Sequence, residues 1–426
     1  HHAKQVTLRR DLGLFQATCA GVGIIVGAGI YALIGSAAGL AGNMIWLSFL
    51  IAAVVAALTG LSYAELSSLF SKSDGEYSYV QKAFSWKAVS FVTGYLVILS
   101  GVVGAGAVAF GFAGYLSQYV GIPLFILALG AIALFSLVNY AGIEQSSKVN
   151  VIFTFFEIGA LIAIIILAFK NIGSVNYFTT PSSVGVLSAA SLIFFAFTGF
   201  EAIVKLGEET KNAKRTIPLA LILSIGITTI IYMLVGITAV SVIGWDVLAA
   251  SKAPLALVAS KLMGSSAGVL LSIVALFSTG NTILVLLVTT SRMLYGLGKD
   301  VRGLRMFSIL SAKRRTPVNA IILTAIISAL FVLFGKKIDF VANISNVLLF
   351  ITFFLVNIAV IALRFNGFAK KKRKFTVPFS IGRFPVLPAL GALTCIFMIL
   401  QIEWFTTLVG FILAIGGFGV YAIVKK

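Results

Sequence analysis

Residues 21–35, GVGIIVGAGIYALIG, decide how this chain reads. The stretch is apolar enough to lie in a bilayer, yet it holds five glycines in fifteen positions and no charge. Glycine is about 1 kcal/mol worse than alanine inside a helix, and it lets backbone open or be approached closely. Within a membrane, opened backbone is tolerated only where it is buried in protein or lines a cavity. Gly27-Ala28-Gly29 is therefore the expected break in a spanning helix, offering bare N–H and C=O groups to a solute. The competing reading is a close-packing face, since small residues spaced by four let membrane helices touch.

The surrounding chain is of one kind. It has 426 residues, 60% hydrophobic and 11% charged, with a mean hydropathy of +1.08. Apolar runs of about 18 residues or more recur throughout, which predicts an all-α polytopic membrane protein. A β-barrel would alternate over about ten residues. About twelve spans are expected, near 12–40, 43–69, 84–116, 123–140, 147–169, 185–206, 217–243, 265–297, 317–335, 343–364, 386–402 and 404–424. His1 and His2 are set aside as a tag remnant, and the first apolar segment, lacking a cleavage pattern, is assigned to the mature protein. Cys19 and Cys395 both fall in spans and read as small core residues.

A net charge of +19 invites a nucleic-acid reading, but its distribution argues otherwise. With the N-terminus inside, only Lys170, Lys252, Lys261, Lys336 and Lys337 of the 32 Lys and Arg residues face outward. The excess of positive charge on the inner side orients the chain with both termini cytoplasmic. No nucleic-acid partner is expected. The run Lys370-Lys371-Lys372-Arg373-Lys374 is suited to anionic lipid headgroups, or is a solvated loop.

A second interrupted span follows at 185–206. In SLIFFAFTGFEAIVKLGEE, Thr198-Gly199 breaks an aromatic run, and Glu201 and Lys205 stand one turn apart. Gly-interrupted spans in first and sixth position are what an inverted-repeat transporter predicts. Two further carboxyls lie in or beside the membrane. Glu157 stands well inside the fifth span, where an ionisable group usually faces a cavity, a partner or an ion path. Glu65, at the end of the second span, is expected to pair with loop cations. The eighth span holds the polar cluster Ser278, Thr279, Asn281 and Thr282, whose oxygens suit a hard cation.

Several phrases resemble the amino acid-polyamine-organocation superfamily. YAELSSLFSKSDGEYSYVQKAF (63–84) is similar to the signature between its second and third helices, with Ser71 and Asp74 departing from the usual proline and glycine. FAFTGFE (195–201) and EETKNAKRTIPLA (208–220) resemble its sixth helix and the loop that follows, Ala213 replacing a proline. SRMLYGLGKD (291–300) and KRRTPVNA (313–320) resemble the end of its eighth helix and the start of the ninth. The resemblance spans about Leu12 to Arg364.

It implies a 5+5 inverted repeat of leucine-transporter type with discontinuous helices 1 and 6. The divisions are a cytoplasmic segment at 1–11, repeats at 12–169 and 185–364, and two added helices at 386–426. It further implies that a substrate carboxylate sits at the break by Gly27, on the amides of Ala28 and Gly29. The ammonium would face the carbonyls of Ile25, Phe195 and Thr198, with Phe195 as an aromatic gate. Glu157 falls where many relatives carry a lysine, at a sodium-site position linked to proton movement.

The expected activity is secondary transport of an amino acid across the plasma membrane by alternating access. A neutral substrate with proton coupling is favoured; exchange of amino acids or amines without an ion, and sodium symport, are the alternatives. No cofactor is expected, and the substrate is a small molecule, with H+ or Na+ and lipid as the other partners. HExxH and GxxxxGK[ST] are absent and no GxSxG lies within the spans, which argues against an enzyme or a primary pump. A channel lined by broken helices is the reading from a different class. Gly29→Val is expected to abolish binding with folding largely intact.

Overall fold

The computed structural model describes residues 12–70, 75–142, 147–204, 206, 210–366 and 375–425. The expectations placed on residues 1–11, Ser71, Asp74, Lys205 and Lys370 to Lys374 lie outside them. The described chain is almost entirely helical, as its composition requires. In a bilayer a backbone polar group without water must find its partner within its own segment.

The first span is two helices, α1 (Leu14–Ile25) and α2 (Ala28–Ala41), separated at Val26-Gly27. A turn at Gly42, with φ of +62°, reverses the chain into α3 (Ile45–Leu69). A short amphipathic helix, α4 (Glu76–Phe84), precedes the expected third span, which is the long α5 (Lys87–Leu116). Ser85, in the left-handed region at φ of 57°, ends α4. Next come α6 (Leu124–Ala141) and α7 (Ser147–Ala168). The sixth span is α8 (Ser183–Ile193), a 3-10 turn over Phe194–Phe197, and α9 (Phe200–Ile203).

The second half holds α10 (Ala213–Ile243), two short helices α11 (Trp245–Ala250) and α12 (Pro254–Met263), and the 36-residue α13 (Ser265–Asp300). It continues through α14 (Val318–Gly335), α15 (Ile338–Phe365), α16 (Val386–Leu400) and α17 (Trp404–Val424). α15 begins five residues before the expected 343, its first turn carrying Asp339. A two-stranded antiparallel hairpin, β1 (Ser380–Ile381) with β2 (Phe384–Pro385), precedes α16.

Ten stretches among the described residues are long and apolar enough to cross a membrane. The difference from twelve has a physical origin. Ala28–Leu69 is one continuous apolar run of 42 residues that folds back on itself, and α16, at 15 residues, is short for a full crossing.

α5 is the central strut. Its small residues Ala105, Gly106, Ala107 and Ala109 are buried, and α13, α14 and α15 pack around it. Ser328 of α14 and Ser345 of α15 donate to the Val102 and Ser100 carbonyls of α5 at 2.7 and 2.8 Å. At one end of the bundle, Asn43 Nδ2 donates to the Asn176 carbonyl at 3.0 Å and Thr179 Oγ1 at 2.8 Å, pinning the loop before α8.

At the opposite end, Glu65 of α3 is paired with Arg364 of α15, both side chains almost wholly buried. Arg364 Nε donates to Glu65 Oε1 at 2.9 Å, and the Val377 amide donates to Oε2 at 2.8 Å. Among the described residues, Glu65 is thus met by a cation at a helix end and a backbone amide. Helix-end placement explains it: the arginine fork bonds the carboxylate with two nitrogens, which an isolated lysine cannot do.

Candidate site at the two helix breaks

The breaks in the first and sixth spans meet face to face. Val26 ends α1 in extended geometry and Gly27 opens α2 at φ −162°, ψ −150°. The first amides of α2 therefore have no carbonyl one turn back in their own helix, and the positive end of its dipole is exposed to the gap. Across the gap, Thr198 leaves the 3-10 turn in extended geometry and Gly199 adopts φ of +107°. That φ favours glycine, and a side chain there would also lie 3.0 Å from the Ile24 carbonyl of α1.

Gly29 serves contact as well as the break. A Cβ on it would stand 2.5 Å from the Ala196 Cα. The packing and break readings of the glycine stretch are both realised, at adjacent positions. Gly29→Val would therefore disturb packing along with any ligand site, and the expectation of intact folding does not hold for that variant.

The exposed backbone is partly met by the chain itself. Tyr232 of α10, fully buried, places its hydroxyl 3.3 Å from the Ile25 carbonyl and 3.1 Å from the Ala196 carbonyl. Thr198 folds back onto the Phe195 carbonyl, through its amide at 3.3 Å and its hydroxyl at 2.7 Å. The Ala28 amide donates to Thr282 Oγ1 at 3.3 Å. Glu201 caps the segment below the break by accepting from the Gly199 amide at 2.9 Å. In this arrangement a ligand would have to exchange its own polar atoms for bonds that Tyr232, Thr198 and Thr282 now make.

The candidate coupling residues converge on the same place. Glu157 of α7 is buried and faces Ser278 of α13, whose own hydroxyl makes no hydrogen bond of good geometry. Thr282, one turn further along α13, reaches the amide of Ala28. Asn281 lies on the same turn of α13 and is half-buried. Tyr31 of α2 donates to the Glu157 backbone carbonyl at 2.8 Å, and Tyr115 of α5 donates to the Tyr31 carbonyl at 3.0 Å. Phe195 is 7% exposed, its ring lying against Gly104 of α5. Five segments distant in sequence therefore enclose one polar locus: α1–α2, α7, the turn after α8, α10 and α13.

Tyr232 is the functional-looking residue that pattern reading misses. Its signal was available, because a phenol inside a 31-residue apolar helix needs a partner for its hydroxyl. The identity of that partner is set by folding alone. Among the described residues no cluster of three or more His, Cys, Asp or Glu side chains could hold a metal.

Comparison with known proteins agrees with this architecture. The amino acid permease family profile matches residues 12–419. The branched-chain amino acid permease BcaP of Bacillus subtilis is 30% identical over 425 residues, covering 94% of this chain and 90% of the relative. The methylthioribose transporter of the same organism is 27% identical, covering 95% and 91%. Human cationic amino acid transporter 4 is 29% identical, covering 85% of this chain and 61% of the relative. Broken first and sixth spans, the motif phrases around them and a match along almost the whole chain lead to one conclusion: this protein belongs to the amino acid permease family of the amino acid-polyamine-organocation superfamily.

Proposed function

We propose that the protein is a secondary transporter of neutral, small or apolar amino acids, working by alternating access across the plasma membrane with both termini in the cytoplasm. The observation that carries this reading is the facing pair of helix breaks, where Tyr232 spans the Ile25 and Ala196 carbonyls. A zwitterion needs N–H donors for its carboxylate and C=O acceptors for its ammonium. The N-terminus of α2 supplies the first, and the turn after α8 supplies the second.

Neutrality of the side chain is supported by the acids at hand. Glu201 is engaged in capping Gly199, and Glu157 lies toward α13. An arginine or lysine side chain would add a charge with no dedicated partner, at a cost of several kcal/mol. The relative named as a branched-chain amino acid permease fits the same preference. The broken first and sixth spans would move against a scaffold of the other helices, with Phe195 closing over the substrate.

Proton coupling through Glu157 accompanies this reading. The carboxyl is buried among hydroxyls at the break, where gain and loss of a proton would alter both Ser278 and the α2 N-terminus. The test is counterflow of labelled amino acids in proteoliposomes, at graded pH, with sodium or choline. Saturable, stereospecific exchange of leucine or alanine, competed poorly by arginine and putrescine, is expected. Non-saturable flux would favour a channel, and competition by putrescine but not alanine an amine exchanger.

A further inference from the structure

The outer half of α15 carries polar groups that the substrate site does not absorb. Asp339, Asn343 and Asn346 follow one another at intervals of four and three residues. They fall within about 60° around the helix and climb about 10 Å along it. In each, Oδ1 is buried and has no hydrogen-bond partner.

Asn346 is fully buried. Its Nδ2 donates to the Ser191 and Leu192 carbonyls, at 2.7 and 3.1 Å, at the end of α8. These two bonds fix the amide, and its oxygen diverges from the helix end just ahead of the 3-10 turn. At the other end of the stripe, half-buried Asp339 faces Ser36 of α2 and Lys337.

Packing does not account for the pattern. A buried acceptor left unmade is destabilising, and α15 shows elsewhere how a packing asparagine is treated. Asn357 accepts from Ser62 at 2.6 Å and donates to Thr59 at 3.1 Å and to the Phe353 carbonyl at 2.9 Å. Three buried acceptor oxygens in line, of which only Asp339 has a hydroxyl and an ammonium beside it (Ser36 and Lys337), call for a ligand that is all donor and carries positive charge, and an ammonium meets both needs.

Resting on the transporter reading, we infer that Asp339, Asn343 and Asn346 form a lane that passes the α-ammonium of the amino acid from the outer mouth to the break in the sixth span. Asp339 draws the cation in, Asn343 takes it past the wall of α2, and Asn346 delivers it beside the carbonyls of the 3-10 turn. The carboxylate, unsuited to acceptors, trails toward the amides of α2. The lane thereby fixes which end of the zwitterion enters first.

The test is uptake by wild type and variants in vesicles with the α2–α3 turn facing the bath. Asn343→Leu removes the acceptor at similar size, Asn343→Asp keeps one, and Asp339→Asn removes the charge. The half-saturation concentration for the best amino acid should rise about tenfold in Asn343→Leu and about threefold in Asp339→Asn. Asn343→Asp should remain near wild type, and gel-filtration profiles should match.

An unmoved half-saturation in folded Asn343→Leu overturns the lane. So does a rise that vanishes when choline replaces sodium, since the stripe would then serve an inorganic cation. If Asn343→Leu does not fold, Asp339→Asn at the rim is judged by the same criterion. Amino acid uptake by wild type with no shift in either variant sinks the lane and leaves the transporter reading. Absence of any amino acid uptake by wild type sinks both.

Discussion

A single hydroxyl holds the two broken spans in register. Tyr232→Phe would strip the Ile25 and Ala196 carbonyls of their shared donor. With the site buried, the expected loss is about 1–3 kcal/mol, read as a lower thermal midpoint in detergent. The variant should also bind substrate with altered affinity, because the carbonyls are freed. Glu157→Gln keeps the size of the side chain that faces Ser278 but cannot ionise. It should flatten the pH profile of uptake, and an unchanged profile would remove Glu157 from proton movement. Gly27, Gly29 and Gly199 were legible because glycines crowd where a spanning helix should have none. Tyr232 was not, since its contact to Ile25 crosses 207 residues of sequence and no local pattern encodes a partner so distant. The expectation that bare backbone would face a solute was right about the breaks and incomplete about their occupants. Thr198 and Thr282 already fill part of the need.

Between elements, two contacts set how the helices can move. α2 touches the 3-10 turn through Gly29 with no room for a Cβ. Gly29→Ala should therefore lower stability, and Gly29→Val should lower it further, before any effect on binding is reached; normal expression and thermal midpoint for Gly29→Val would contradict the close contact. Separately, Glu65 and Arg364 join α3 to α15 in a buried pair. Breaking one side leaves the other charge buried, at about 3–5 kcal/mol. Arg364→Met alone should be severely destabilised, and Glu65→Gln combined with Arg364→Met should recover much of the loss, measured by thermal unfolding. Helix lengths were legible from hydropathy, but α4 and the 380–385 hairpin were not. Each is set by a reversal outside the bilayer, where apolar periodicity carries no information. The early start of α15 escaped for a related reason: its first turn carries Asp339 just after Lys336 and Lys337, and this charged stretch reads as loop in a hydropathy scan.

At the scale of the whole molecule, the proposed orientation puts the basic end in the cytoplasm, and labelling tests it. A cysteine placed at Lys252, in a background with Cys19→Ser and Cys395→Ala, should react with an impermeant maleimide added outside intact cells. One placed at Arg305 should not, and reversed labelling would invert the topology. The same end that carries Arg305 holds another connection. The Lys211 amide donates to the Leu12 carbonyl at 2.9 Å in a small β-bridge, so the start of the first span and the chain leaving the sixth are fastened together. The amide of Val377 completes the coordination of Glu65, and Val377 belongs to the strand of chain that launches α16. The chain that launches the last two helices is thus tied to the buried ion pair of α3 and α15. A shortened protein ending after α15 would keep the Glu65–Arg364 pair and lose the Val377 amide that donates to it, so the base of the bundle would be loosened rather than left with a lone charge.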